Sequence, residues 1–241
     1  MNTYTLVTGA AGGLGSALCE ILLSRNGSVL AVDHNVSRLE ALRKRLDHEN
    51  FLPLTAELDH PELEALVHAR LPGDAVVRGL VNIAAQSIGG DIFSLDDADW
   101  ERSFSVNVTP AMKLARMLAP RMRAAGGGSI VNVGSPVGIV GARKPGYAAS
   151  KAALTGLSVS LARNLGPHGI RVNVLLPGPM ITPLTEDWPE SKRQKIAASS
   201  FLGRLCQPLE AARIIAFLLS EESSYVTGSV IDATAGSMFG H

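Results

Sequence analysis

The 241-residue chain lacks several features that mark other classes of protein. Lys plus Arg equals Asp plus Glu at 22 each, so the formal net charge is zero. This balance argues against a nucleic-acid partner and against an anionic membrane surface. No apolar run approaches the roughly 18 residues that suggest a membrane span. What remains is a globular protein for which neither kind of partner is expected.

Cysteine is scarce, and metal-ligand patterns are missing. Cys19 and Cys206 are the only cysteines, and both are expected to be reduced thiols in the cytoplasm. The six histidines are scattered without the spacing of metal ligands, so we expect no metal. A strand-like stretch begins within the first few residues, which predicts that the chain has no signal peptide.

What the chain does have is a regular alternation of apolar strand-like and helical stretches. Strands are predicted at 3–7, 28–33, 51–54, 78–84, 129–134, 170–176 and 229–232. Helices are predicted at 14–25, 36–47, 60–70, 97–124, 147–165 and 208–219. The alternation predicts a doubly wound, Rossmann-type α/β fold, with a parallel sheet between two layers of helices. The length and the 46% hydrophobic content suit a single domain that spans residues 1–241.

A glycine-rich turn follows the first predicted strand. Residues 8–15 read Thr-Gly-Ala-Ala-Gly-Gly-Leu-Gly, and an apolar-periodic helix follows. Glycine lets backbone amides approach a pyrophosphate, whose charge the helix N-terminus favours. Asp33 ends the second strand about 20 residues later, where a carboxylate can bind adenosine ribose hydroxyls. These features predict a dinucleotide site; the plainer alternative is a tight turn with a surface Asp.

A second group of residues indicates chemistry between alcohols and carbonyls. Tyr147 and Lys151 lie four residues apart, one helical turn, so their side chains share a face. The ammonium should stabilise the phenolate and lower the tyrosine pKa from about 10, which suits proton exchange with a reacting oxygen. Ser135, twelve residues upstream, could hold that oxygen. The alternatives are a helix-start aromatic, a solvated lysine and a loop serine.

Together these residues resemble the short-chain dehydrogenase/reductase family, in its compact single-domain branch. Residues 8–15 fit the family's Thr-Gly-x-x-x-Gly-x-Gly turn at every fixed position. The family's Asn-Asn-Ala-Gly strand end is altered at residues 82–85, and its Asp-Gly-Gly is altered at residues 234–236. The resemblance implies a nicotinamide cofactor, a mobile substrate lid at 183–203, and a homotetramer or homodimer.

The resemblance also implies roles for particular residues. The family's catalytic residues correspond here to Asn107, Ser135, Tyr147 and Lys151. Asn107 would interrupt a helix and hold a water, although by itself it could be an ordinary helix-interior asparagine. The family's cofactor-binding residues correspond here to Gly9, Gly13, Leu14, Gly15, Asp33, Glu57, Leu58, Asn82, Ala84, Tyr147, Lys151, Pro177, Gly178, Met180 and Thr182. The Pro-Gly pair in that set might otherwise be a simple turn.

Residues near the expected adenosine site favour NAD over NADP. Asp33 would repel a 2′-phosphate. Relatives that prefer NADP often carry a basic residue at places occupied here by Gly12 and by His34, whose side chain is mostly neutral at pH 7. The prediction is an NAD-dependent oxidoreductase that interconverts a secondary alcohol and a ketone. Alternatives are an NADPH-dependent reductase of the 3-oxoacyl type, a non-catalytic NAD-binding or regulatory protein, and an epimerase or dehydratase.

Overall fold

Seven parallel strands form one sheet in the computed structural model, which describes residues 3–182 and 185–238. The strands are β1 (Thr3–Thr8), β2 (Ser28–Asp33), β3 (Phe51–Thr55), β4 (Val76–Asn82), β5 (Gly128–Val133), β6 (Ile170–Pro177) and β7 (Val230–Ala233). The helices are α1 (Gly13–Ser24), α2 (Val36–Leu46), α3 (Leu63–Arg70), α4 (Asp97–Asn107), α5 (Thr109–Ala124), α6 (Val137–Val140), α7 (Pro145–Leu165), α8 (Glu190–Ser199) and α9 (Pro208–Leu219). The predicted Rossmann-type fold is confirmed.

The winding of the sheet reverses between β1 and β4. The strand order is β3-β2-β1-β4-β5-β6-β7, so the chain first builds outwards from β1 on one side and then on the other. Ligands of such sheets bind beyond the carboxyl ends of the strands at this reversal. Thr8 pairs with Asn82 there, and its Oγ1 accepts hydrogen bonds from the amides of Ile83 and Ala84 at 3.1 and 3.3 Å. These bonds connect the start of the glycine turn to the chain that leaves β4.

The core consists of two apolar clusters, one on each face of the sheet. Successive strand residues point to opposite faces. Leu6 therefore packs in the cluster that contains Leu118 of α5, while Val7 packs in the cluster that contains Leu18 of α1 and Ile215 of α9. All five side chains are almost fully buried, and burying a side chain of this size contributes about 1.5–3 kcal/mol. The two clusters hold the helices on both faces and leave the strand ends available for a site.

The helix predicted at 97–124 is in fact two helices. α4 ends at Asn107 and α5 begins at Thr109, while Val108 between them has a φ of −122° and a ψ of −53°. Pro110 lies in the first turn of α5, where the missing amide of proline costs no helical hydrogen bond. The break puts Asn107 at a helix end, as the family resemblance implied.

Three further differences are local. The strand predicted at 78–84 spans Val76–Asn82, so Ile83 and Ala84 lie beyond the sheet. The short helix α6 was not predicted, because four residues are too few to show helical periodicity. Helix α8 was not predicted either, because it buries no residue and so shows no apolar period.

Replacing Gly15 with Ala should destabilise the fold. A Cβ at this position would lie 2.2 Å from the carbonyl oxygen of Gly9 and 2.7 Å from Cα of Ala10, both of them backbone atoms. We expect the free energy of unfolding, measured by urea denaturation, to fall by about 1–3 kcal/mol.

The matched control is Gly156→Ala, in the interior of α7. Apart from the adjacent residues and the nearby backbone of α7 itself, no described atom lies within 4 Å of the Cβ that this substitution adds. Since alanine favours a helix over glycine, this variant should gain about 0.5–1 kcal/mol. Equal changes in the two variants would show that the crowding at Gly15 is not real.

Candidate active site

Four residues predicted to be catalytic lie in three parts of the chain that meet at the carboxyl ends of the central strands. Ser135 follows β5 by two residues, Asn107 ends α4, and α7 carries both Tyr147 and Lys151. The Lys151 side chain is 2% exposed, and its Nζ donates a hydrogen bond to the carbonyl oxygen of Val133 at 2.8 Å. The same Nζ lies 6.0 Å from the centre of the Tyr147 ring. The ammonium thus connects the catalytic face of α7 to the end of β5.

Asn107 is the junction of a buried hydrogen-bond network. Its Oδ1 accepts from the amide of Gln86 at 2.8 Å, and its Nδ2 donates to the carbonyl of Gln86 at 3.0 Å and to Oγ of Ser150 at 2.9 Å. Ser150 in turn donates to the carbonyl of Tyr147 at 2.8 Å. The network fixes the first turns of α7 to the chain that follows β4. The water that the family resemblance places at Asn107 stays a prediction.

Ser150 is a site residue that the sequence analysis missed. It is fully buried between the tyrosine and the lysine along α7. The sequence did contain a hint, because Ser150 is a polar residue between two candidate catalytic residues on one helix. Such a residue needs a hydrogen-bond partner when it is buried. The identity of that partner depends on the tertiary fold, because Asn107 lies on another helix.

The pKa of Tyr147 is raised, whereas the sequence analysis expected it to be lowered. Burial raises the pKa by desolvating the phenolate, and the hydrogen bond with Ser135 lowers it by less. Burial also lowers the pKa of Lys151, to about 8. The expectation that Lys151 lowers the tyrosine pKa is therefore wrong for the chain alone. The physical reason is that the ammonium is held by a main-chain carbonyl, while desolvation dominates at the phenol.

Asp33 holds the glycine turn in place from the end of β2. Its buried carboxylate accepts hydrogen bonds from the amides of Ala11 and Asn35, each at 2.9 Å. Each oxygen keeps acceptor capacity for a ribose hydroxyl. Gly9 has a φ of +65°, and a Cβ there would lie 2.9 Å from Cα of Ala84. The turn is therefore a close-packed backbone cradle that a side chain at Gly9 would fill.

The first turn of α1 offers backbone amides to an anion. Within residues 3–182 and 185–238, no side chain caps this helix at Gly12, and its first turn contains no acidic residue. Gly13, Leu14 and Gly15 supply the amides, and the helix dipole favours negative charge at this end. Together with Asp33 on the adjoining strand, these residues fit a dinucleotide with its pyrophosphate on the helix and its ribose on the carboxylate.

Asn82 belongs to a hydrogen-bond ladder below the site. Its Nδ2 donates to Oδ1 of Asn132 at 2.7 Å. Nδ2 of Asn132 donates to Oγ of Ser158 at 2.7 Å, and that hydroxyl donates to the carbonyl of Leu154 at 2.6 Å. The ladder runs from β4 through β5 to α7, so it aligns the strand end near the cofactor candidates with the helix that carries Tyr147.

The other candidate cofactor contacts lie on either side of this ladder. Ala56 follows β3 and donates its amide to the carbonyl of Asp33 at 3.1 Å, which places Glu57 and Leu58 beside the end of β2. Glu57 is exposed, whereas Leu58 packs against the core. The site residues that follow β2 and β3 therefore lie together at the carboxyl ends of these two strands.

The segment after β6 leans on the first turn of α1. Pro177 ends β6, and the amide of Gly178 donates to the carbonyl of Ala233 at 2.9 Å. The Cγ2 of Thr182 lies 3.2 Å from the position that a Cβ of Gly13 would take. The segment containing these residues is thus positioned against the proposed phosphate cradle.

Met180 and the predicted lid follow from that segment. The side chain of Met180 packs against the core on the α1 face. Of the lid predicted at 183–203, Pro183 and Leu184 lie outside the described residues, and the remainder contains α8. Cavities of about 390 and 230 Å³ lie between this segment and the start of α9, and neither is lined by Ser135 or Tyr147.

Comparisons with known proteins agree with this geometry. The short chain dehydrogenase family model matches residues 3–193. This chain belongs to the short-chain dehydrogenases. It is similar to a 3-oxoacyl-(acyl-carrier-protein) reductase FabG from Thermotoga maritima, at 35% identity over 96% of each chain. The family is one of oxidoreductases that bind a nicotinamide cofactor.

Two further known proteins are similar to this chain over almost its whole length. A (3R)-3-hydroxyacyl-CoA dehydrogenase from Rattus norvegicus is 33% identical, over 98% of this chain and 96% of the relative. The crystal structure of an oxidoreductase of the short chain dehydrogenase/reductase family from Burkholderia thailandensis has a TM-score of 0.92 at 28% identity, covering 100% and 94% of the two chains. In the part of the chain that the structure describes, no helix is long and apolar enough to cross a membrane.

Replacing Lys151 with Met should stabilise the protein without cofactor at neutral pH. Because the folded-state pKa is lowered from 10.5 to about 8, the folded state carries a costly buried charge at pH 7. The cost is of the order of 3 kcal/mol, offset by about 1 kcal/mol for the lost hydrogen bond to Val133. We expect the variant to be more stable than wild type by about 2 kcal/mol at pH 7 in urea denaturation.

The advantage of the Lys151→Met variant should disappear as the pH rises. Between about 8 and 10.5 the unfolded lysine binds a proton that the folded lysine has lost, so wild-type stability rises relative to the variant. A stability difference that stays constant from pH 7 to pH 10 would contradict the lowered pKa.

Proposed function

We propose that this short-chain dehydrogenase is an NAD(H)-dependent oxidoreductase that interconverts a secondary alcohol and a ketone. One observation carries the proposal. Tyr147, Ser135 and the buried Lys151 lie at the carboxyl ends of the strands, as do Asp33 and the glycine turn. When bound, the nicotinamide would donate or accept a hydride at the substrate carbon. Gly13, Leu14 and Gly15 would hold its pyrophosphate.

Each candidate catalytic residue then has a task at the substrate oxygen. Tyr147 gives a proton to the carbonyl oxygen in reduction and takes the alcohol proton in oxidation. Its raised pKa keeps the phenol protonated at neutral pH in the chain alone, which is the form that donates. Ser135 hydrogen-bonds the same oxygen and stabilises its developing charge. Lys151 would hold the nicotinamide ribose, and Asn107 would keep the proton path in place.

The preference for NAD rests on charges at the adenosine end. A 2′-phosphate would meet the carboxylate of Asp33, which is buried and keeps acceptor capacity for a hydroxyl. Arg38 is a cation in the first turn of α2, the helix that follows β2. Its guanidinium lies 3.9 Å from the carboxylate of Glu186, so its charge is partly matched within the chain.

One alternative is favoured by the relatives. The names of the Thermotoga maritima and Rattus norvegicus proteins refer to 3-oxoacyl and 3-hydroxyacyl substrates. An NADPH-dependent carbonyl reductase of the 3-oxoacyl type would use the same Tyr147 and Ser135. It would differ at the adenosine end, where Asp33 argues against it.

Assembly and location complete the proposal. We take the protein to be a cytoplasmic homotetramer or homodimer that needs no metal, with residues 183–203 as its substrate lid. Val159 on α7, and Phe217 and Val230 on the side of the sheet that ends in β7, are exposed hydrophobic residues that suit an interface between subunits.

Titrating NADH and NADPH separately by fluorescence tests the cofactor. Wild type should bind NADH at least about tenfold more tightly than NADPH, and Asp33→Asn should reduce that ratio about tenfold by removing the repelling charge. Asp74→Asn, at an exposed carboxylate in the turn before β4 and away from the candidate cofactor contacts, is the matched control and should leave the ratio unchanged. Melting curves check the fold, since Asp33 also holds the glycine turn. Tighter binding of NADPH by wild type would overturn the proposal in favour of the alternative.

Replacing Tyr147 with Phe tests the chemistry. The variant should lower kcat for secondary alcohols with NAD by about 10²–10⁴, because it removes the group that moves the proton. Its affinity for NADH should stay within about threefold of wild type. Tyr225→Phe, at a fully exposed tyrosine, should leave both quantities unchanged. Turnover that survives the Tyr147 change would rule out the proposed role. Product formed without any net change in NADH would indicate epimerisation or dehydration.

A further inference from the structure

Helix α8 carries a cation to which the proposed reaction gives no task. Arg193 lies near the start of α8 and is half-buried. Its Nη2 donates a hydrogen bond to the carbonyl of Glu186 at 2.7 Å. Its Nε is buried and has no hydrogen-bond partner in the part of the chain that the structure describes. A guanidinium has five N–H groups, and leaving such groups buried without acceptors is costly, so Arg193 suits a ligand that accepts hydrogen bonds.

The turn that holds this guanidinium lies beside the first turn of α1. Cγ2 of Thr182 is 3.2 Å from the position that a Cβ of Gly13 would take. The amide of Thr185 donates to the carbonyl of Thr182 at 2.8 Å, and the amide of Thr182 donates to Oγ1 of Thr185 at 3.0 Å. Glu186 is the next residue, so the carbonyl that binds Arg193 is close to the amides proposed to hold the pyrophosphate.

The same turn also reaches the start of α2. The carboxylate of Glu186 lies 3.9 Å from the guanidinium of Arg38, in the first turn of α2. Both α1 and α2 pack in the same apolar cluster on one face of the sheet. The turn therefore contacts the starts of both helices, which border the proposed sites of the pyrophosphate and of the adenosine ribose.

The charge of Arg193 is not matched by an ion pair. Among the described residues, no carboxylate lies within 4.0 Å of its guanidinium. Arg204, which lines the same cavity of about 390 Å³, is paired with Glu210 at 2.7 and 2.8 Å. Glu190 also lines this cavity, and its carboxylate accepts from Gln194 at 3.1 Å. A phosphate would supply Arg193 with both a negative charge and acceptors, because a guanidinium binds phosphate oxygens through paired N–H groups.

We propose that Arg193 binds the pyrophosphate of the dinucleotide cofactor. This inference rests on the proposed function, because Gly13, Leu14 and Gly15 must hold the same pyrophosphate with their amides. The arginine adds a full positive charge to a cradle made of backbone N–H groups. It also connects α8 directly to the cofactor, so the lid segment takes part in cofactor binding.

Two probes that differ in phosphate test this contact. ADP-ribose contains the pyrophosphate, whereas adenosine contains no phosphate. We would measure the Kd of NADH by fluorescence titration and the Kd of each probe by displacement of NADH, in wild type and in Arg193→Gln. The variant should bind NADH and ADP-ribose about 10- to 100-fold more weakly and should keep its affinity for adenosine within about twofold.

Two further variants separate the charge of Arg193 from support of the turn. Arg193→Lys keeps the charge and should recover part of the lost affinity. Lys195→Gln removes an exposed cation of α8 and should change none of the affinities, because residues two apart point to opposite sides of a helix. With saturating NADH, kcat of Arg193→Gln should stay within about threefold of wild type, since the pyrophosphate does not take part in the chemical step.

Two outcomes would overturn the inference about Arg193. One is an unchanged affinity for ADP-ribose in Arg193→Gln. The other is an equal loss of affinity for ADP-ribose and for adenosine, which would show that Arg193 only supports the turn at Glu186.

The binding measurements need no turnover, so they separate this inference from the proposed function. If wild type binds ADP-ribose through Arg193 but oxidises no secondary alcohol, the inference holds and the proposed reaction alone fails. If wild type turns over with NAD while Arg193→Gln binds ADP-ribose as tightly, the inference alone fails. A wild type that binds neither NADH nor ADP-ribose would overturn both.

Discussion

A buried ammonium held by one main-chain carbonyl is the constraint on which the candidate site depends. Lys151 of α7 reaches the carbonyl of Val133, the last residue of β5, and Ser135 follows two residues later. This bond sets the distance between helix and strand, and so brings the phenol of Tyr147 to the serine hydroxyl. Burying the charge is costly, as the lowered pKa of Lys151 shows. In the proposed function this cation would hold the nicotinamide ribose.

Polar networks carry this geometry across the sheet. The ladder from Asn82 through Asn132 to Ser158 joins β4, β5 and α7 beneath the site, and the bonds of Asn107 join α4 to α7 above it. The side-chain amides of Asn82, Asn107 and Asn132 each donate to an acceptor, and satisfied buried networks of this kind define a unique arrangement. The half of the site suited to a dinucleotide and the half suited to proton transfer are therefore parts of one rigid framework.

The sequence could predict what depends on local pattern. The strand and helix alternation predicted the sheet, and the glycine motif and the spacing of Asp33 predicted that both lie where the first two strands end. It could not predict the pKa of Tyr147, because the spacing to Lys151 shows a shared face but not the depth of burial. Ser150 was missed for a related reason, because its hydrogen-bond partner Asn107 is distant in the chain.

The contact between Thr182 and Gly13 has a consequence for how this chain can vary. The methyl group of the threonine lies next to the glycine, so a Cβ at position 13 would be 3.2 Å from it and the threonine would have to move by a few tenths of an ångström. A larger residue at position 13 is therefore best accommodated with a smaller residue at position 182, although the two positions lie far apart in the sequence. The start of α1 and the segment after β6 thus share one packing constraint.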